Sequence, residues 1–166
     1  MLILGVDPGT AITGFGLVKE QGGRLKTEGY GVIRTKADCL LPDRLKQIYE
    51  QITTLVSQYQ PAVMVVEELF FNKNTRTALA VGQARGVILL AAANQGLEIA
   101  EYTPLQVKMA VAGYGRADKN QVQEMVRILL KLKAIPKPDD AADALAIAIC
   151  YAHSWRGEGL TIGGER

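Results

Sequence analysis

The chain has 166 residues, 48% of them hydrophobic, with a formal net charge of +2, one histidine and two cysteines. That length suits one domain with a substantial core, and the Gly- and Ala-rich balance fits an α/β protein. With no apolar run near the ~18 residues of a membrane span, no leader signature and no metal-type spacing of Cys39 and Cys150, a reduced, cytoplasmic protein is expected rather than a secreted or membrane one.

The first element is Leu2-Ile3-Leu4-Gly5-Val6-Asp7, an apolar run that reads as a strand buried on both faces. Pro8-Gly9 then forces a turn. Asp7 thus stands where the buried strand ends, and it must cap the turn, pair with a cation or hold a metal. Ile12 to Glu20 and Arg24 to Thr35 follow as strands joined by a Gly22-Gly23 hairpin turn, so three antiparallel strands open the domain. Pro42 begins an amphipathic helix with Leu45, Ile48, Tyr49, Ile52, Leu55, Val56 and Tyr59 on one face, and Pro61 ends it.

Ala62-Val63-Met64-Val65-Val66 is another buried strand, and it too delivers a carboxylate at its end, in Glu67-Glu68. Sites collect at such strand ends in parallel α/β sheets. In the loop that follows, one of Phe70 and Phe71 is expected to anchor to the core, leaving a ring that can stack on an unpaired base. Asn74 can cap a helix running to about Asn94, rich in Gly and Ala, that packs closely on the sheet or on a second subunit. Gly96 stops it, Leu97 to Tyr102 is the fifth strand, and Thr103-Pro104 opens a helix broken at Gly113-Tyr114-Gly115. Asp118 caps a helix predicted over Lys119 to Leu132, and a last helix runs from Asp139 to about His153. A single domain therefore covers 1–155, and 156–166 reads as a Gly-rich, flexible tail.

Charge is unevenly spread. Between Thr103 and Pro138 seven basic residues, Lys108 and Lys119 among them, face two acidic ones, a net +5 that leaves −3 for the rest of the +2 chain. A solvated helix face accounts for such a segment, and so does a grip on a polyanion. In the last helix, Asp140 and Asp143 are three apart and share a face, while Asp139 fits a cap. If the sheet gathers Asp7, Glu67, Asp140 and Asp143, each pair about 4 Å apart repels by ~4 kcal/mol at an effective dielectric near 20. Several such pairs rival a domain's stability of roughly 5–15 kcal/mol, so the cluster needs protons or a cation. All-oxygen ligands select a hard divalent ion, Mg²⁺ or Mn²⁺. A sole histidine, His153, argues against a zinc site or a Ser-His triad and suits a metal-activated water.

Taken together, Leu4-Gly5-Val6-Asp7-Pro8-Gly9, Val66-Glu67 with Phe70, Gly82-Gln83-Ala84-Arg85-Gly86, Gln106-Val107-Lys108, Lys119 with Gln121-Val122, and Asp140-Ala141-Ala142-Asp143 closely resemble the RuvC-type Holliday junction resolvases of the RNase H-like superfamily. The resemblance implies an RNase H-like α/β fold with a five-stranded mixed sheet, three antiparallel strands then parallel ones. It implies that Asp7, Glu67, Asp140 and Asp143 are catalytic and bind one or two Mg²⁺ ions per subunit, with Mn²⁺ able to substitute. Some members carry a His where this chain has Asp140. It also implies that Lys108 and Lys119 contact DNA phosphate and that Phe70 packs on a base at the junction centre. Glu68 and Phe71 are given neither role. The implied activity is paired nicking of four-way DNA junctions in recombination and repair, leaving 5′-phosphate and 3′-hydroxyl ends. The implied partners are junction DNA, a second copy in a homodimer and a branch-migration motor complex. The rival readings are another RNase H-like nuclease, an actin-like kinase, which needs two such domains, and a non-catalytic junction-binding dimer.

Overall fold

The computed structural model describes residues 1–68 and 75–158. Five strands form one mixed sheet: β1 (Leu2–Asp7), β2 (Ile12–Gln21), β3 (Arg24–Arg34), β4 (Val63–Glu67) and β5 (Glu98–Tyr102), in the order β3-β2-β1-β4-β5. β1, β2 and β3 pair antiparallel, while β1 with β4 and β4 with β5 are parallel. The expected mixed sheet is therefore present, with β1 at its centre.

Side-chain alternation splits the core into two layers. Ile3 of β1 and Val63 and Val65 of β4 point to one face. That face is covered by α3 (Pro104–Ala112), α4 (Lys119–Leu129) and α5 (Asp139–Glu158). Leu4 and Val6, with Met64 and Val66, point to the other. There they meet α1 (Leu41–Tyr59) and α2 (Thr75–Asn94). The same period continues to the strand ends, so Asp7 and Glu67 fall on the α5 face.

Helix α5 lies unusually close to the sheet because glycine lines its track. A Cβ on Gly5 would stand 2.0 Å from the Ala144 carbonyl oxygen, and one on Gly14 2.0 Å from that of Asp140. Ala144, Ala148 and Leu145 on the facing side are fully buried. This small-residue contact sets α5 running back along β1, with its first turn beside the end of β1.

Helix α2 has two unlike faces. Ala84, Ala91 and Ala92 are fully buried where the helix packs along α1 and the sheet. Leu79 and Leu90 are exposed, and Gly86 on that same side has open space around it. By length and composition the Thr77–Asn94 stretch could cross a membrane, contrary to the expectation that no stretch reaches that length. In the fold it packs on α1 and carries the ion-paired Arg85, as a helix of a globular domain does.

Some element ends differ from expectation. α4 stops at Leu129 rather than Leu132: Leu130 caps it and Lys131 turns the chain with φ +53°. α5 continues through Glu158, past the end expected at about His153. Phe70, Phe71 and Asn74 lie outside the described residues.

Candidate active site

Asp7 leaves the central strand and Glu67 leaves its parallel neighbour, so the two backbones end side by side. Among the described residues the Pro8-Gly9 turn is held by Thr13, whose hydroxyl donates to the Gly9 carbonyl at 2.7 Å, and not by the Asp7 carboxylate. Thr10 ties the loop to α2 through the Ala80 carbonyl at 3.0 Å, and its own carbonyl accepts from the Thr35 hydroxyl at 2.6 Å. A fixed loop leaves Asp7 free for the cleft.

That cleft, of about 220 Å³, is lined by Asp7, Glu67, Asp143, Lys108 and Lys119, with Val107, Val122, Ala146 and Ile147 as its apolar wall. Both lysines are placed by capping boxes. Thr103 and Gln106 satisfy each other's backbone N–H groups at the start of α3, one turn before Lys108. Asp118 and Gln121 do the same for α4, which begins at Lys119. Thr103 and Asp118 are the expected caps, and Gln106 and Gln121, singled out only as motif residues, complete the boxes at the three-residue spacing that signals them. Lys119 Nζ lies 3.1 Å from Asp143 and 3.7 Å from Asp139. Asp139, the first residue of α5, is also held by Lys137 at 2.7 Å, so its carboxylate is engaged by lysine side chains.

Asp140 takes a different position. It borders a shallow depression with Gly9, Thr10, Ala11 and Arg44 rather than lining the main cleft. It remains near enough to act on Asp7 through space.

The electrostatics reflect crowded carboxylates. Burial, then the charges of Asp143, Glu67 and Asp140, push the Asp7 carboxyl up to about 7, against an opposing pull from Lys119. Burial and Asp143 raise Glu67, opposed by Lys108. Burial likewise raises Asp143, opposed by its hydrogen bond to Lys119. Burial alone would lower Lys119, but its bond to Asp143 and the charges of Asp143, Asp139 and Asp140 raise it. The donor set is all oxygen and short of positive charge, which fits a hard divalent cation. Among the described residues no three acidic, histidine or cysteine side chains are yet drawn into a ligating group.

Two other features lie away from this chemistry. His153 sits toward the far end of α5, where its Nδ1–H donates to the Ala110 carbonyl at 2.9 Å. A wide concavity of about 1070 Å³ between the β2–β3 turn and the end of α4 is lined, among the described residues, by Lys19, Arg24, Lys26 and Lys131 with Glu28 as the one acid.

A family model described as crossover junction endodeoxyribonuclease RuvC matches residues 3–151. The chain belongs to the RuvC family. The RuvC of Desulfitobacterium hafniense is 63% identical over 154 residues, covering 93% of each chain. That of Heliobacterium modesticaldum is 60% identical over 93% of this chain and 95% of its own. The structure of Thermus thermophilus RuvC in complex with Holliday junction substrate superposes with a TM-score of 0.91 at 36% identity, covering 95% of this chain and 96% of that one. A yeast mitochondrial Holliday junction resolvase shares the fold at a TM-score of 0.71 and 12% identity, covering 94% and 79% of the two chains. The fold is thus the RNase H-like α/β arrangement that the family resemblance implied.

Proposed function

We propose that this chain is a structure-selective endonuclease that resolves four-way DNA junctions by paired, metal-dependent nicks, in homologous recombination and repair. The observation that carries the reading is the cleft where Asp7, pushed up to about 7, meets Glu67 and Asp143 opposite Lys108 and Lys119. Family membership supports it.

Asp7, Glu67 and Asp143 would hold Mg²⁺, with Asp140 joining from the margin, and Mn²⁺ is an accepted substitute in such an oxygen site. When bound, the cation supplies positive charge at the scissile phosphate and a water activated for in-line attack. The protein's own groups do the rest. Lys108 and Lys119 offer ammonium donors to phosphate oxygens, and Lys119 exchanges part of its Asp143 contact for the phosphate as DNA enters. Val107, Val122 and Ile147 form the apolar wall against which these charged groups stand. The products carry 5′-phosphate and 3′-hydroxyl ends. Phe70 packs on a base at the open junction centre.

A four-way junction has two-fold symmetry, so two matched cuts call for a C₂ homodimer. The exposed face of α2 with Leu79, Gly86 and Leu90 is the surface that such a dimer would bury. A branch-migration motor is the further partner, and the cytoplasm is the compartment this composition suits. Incubation of a synthetic four-way junction and a matched linear duplex with Mg²⁺ tests the reading. Symmetric nicks on the junction alone are expected. Equal cutting of the linear duplex would mean a general nuclease.

A further inference from the structure

One charged side chain near the cleft has no part in the chemistry so far. Arg85 lies on α2, and its side chain is only 19% exposed. Its Nη2 pairs with Glu101 of β5 at 2.5 Å, and its Nε–H donates to the main-chain carbonyl of Glu67 at 3.4 Å. On the other side of that same peptide unit, the Glu68 N–H donates to the Tyr102 carbonyl at 2.8 Å. The peptide after Glu67 is therefore gripped at both its oxygen and its nitrogen, and Glu67 cannot turn about its ψ angle without breaking one of them. Glu101 stands opposite Val66 in the β4–β5 register, so the ion pair also anchors the strand's last residues to the sheet edge.

We infer that Arg85 is a positioning residue: it fixes the backbone of Glu67 so that this carboxylate meets Asp7 and Asp143 in the cleft. The inference rests on the nuclease reading for its importance, and on the geometry alone for its mechanism. Arg85 works through the main chain rather than through its charge. Glu101 neutralises that charge, and the charged groups that shift the Glu67 carboxyl are Asp143 and Lys108. Lysine is not an equivalent here, because one ammonium cannot reproduce the guanidinium fork that meets two acceptors on different strands.

The test compares Arg85→Lys, Arg85→Met and Glu101→Gln with the wild type in three measurements: single-turnover cleavage of a synthetic four-way junction, junction affinity without divalent ions, and Mn²⁺ affinity from free Mn²⁺ in electron paramagnetic resonance. Melting curves confirm that each variant is folded at the assay temperature. Supporting groups of this kind are worth about 10- to 100-fold in metal affinity or activity. Arg85→Met and Arg85→Lys are expected to lose about that much in both cleavage and Mn²⁺ binding, with junction affinity within about 3-fold. Glu101→Gln should show a smaller loss of the same kind. If Arg85→Met proves unfolded, Arg85→Lys and Glu101→Gln decide the matter. Folded variants that bind Mn²⁺ and cleave as the wild type does would overturn the inference. So would a cleavage loss that merely follows weakened junction binding. A wild type that binds Mn²⁺ but cuts no junction would instead overturn the nuclease reading, and the Mn²⁺ comparison would still decide the role of Arg85.

Discussion

Asp7 is held protonated to about pH 7 in the fold, against 3.8 for its ordinary value, because burial and three neighbouring acids oppose its ionisation. Between those two values the native chain binds the extra proton, so without metal this contribution to stability is present below about pH 4 and is lost as pH rises through about 7. Asp7→Asn should therefore melt higher than the metal-free wild type at pH 8, by a shift corresponding to roughly 2–4 kcal/mol, and equal it near pH 4. Thermal melts across that range check both the sign and the window. Added Mg²⁺ should stabilise the wild type above pH 7, have little effect near pH 4, and lose much of its effect in the variant. Lys108 lines the same cleft, and under the proposed function it would meet DNA phosphate. Lys108→Met should reduce the slope of log affinity against log salt for junction binding by about 0.9, the share of one phosphate contact.

At the level of elements, the site depends on helix starts. Asp118 fixes the first turn of α4, and hence Lys119, through its bond to the Gln121 N–H at 2.9 Å. Asp118→Ala should cost about 1 kcal/mol in denaturant unfolding and weaken junction cleavage by displacing Lys119. Gly14 is the contact on which the first turn of α5 rests, so Gly14→Ala must push Asp140 and Asp143 away from β1. The strands and most helices were legible because their punctuation is strong: Pro8-Gly9, Gly22-Gly23, Pro42, Pro61 and Gly113 all stand at real boundaries. The end of α4 was not, since Leu129, Leu130 and Leu132 keep a helical spacing past the point where Lys131 turns the backbone. Asp7, Glu67 and Asp143 were legible as acids at the ends of apolar runs. The offset of Asp140 was not, although a three-residue step leaves ~60° between side chains around a helix, enough to separate a cleft from its rim. Arg85 escaped notice as a structural residue because a single arginine in a small-residue helix creates no periodic signal; only the tertiary fold brings it to Glu67.

For the whole molecule, the two sides of the one sheet differ in what they present. The α3–α5 side bears the cleft, and α2 on the other side presents Leu79 and Leu90 to solvent at 63% and 53% exposure. Burying those side chains against a second copy would place two clefts in one symmetric particle. Leu79→Glu with Leu90→Glu should give a monomer in sedimentation analysis, and the monomer should leave single nicks where the dimer leaves paired ones. A double variant that remains dimeric would move the interface away from α2.

The central claim is that carboxylates at the ends of β1 and β4 and on α5 form a metal-dependent nuclease site. Its most direct test is Mg²⁺-driven cleavage of a synthetic four-way junction by the wild type and by Glu67→Gln, with junction binding measured beside it. The account predicts binding within about 3-fold and cleavage reduced by ~100-fold or more in the variant. A Glu67→Gln protein that binds and cuts as the wild type does would contradict it.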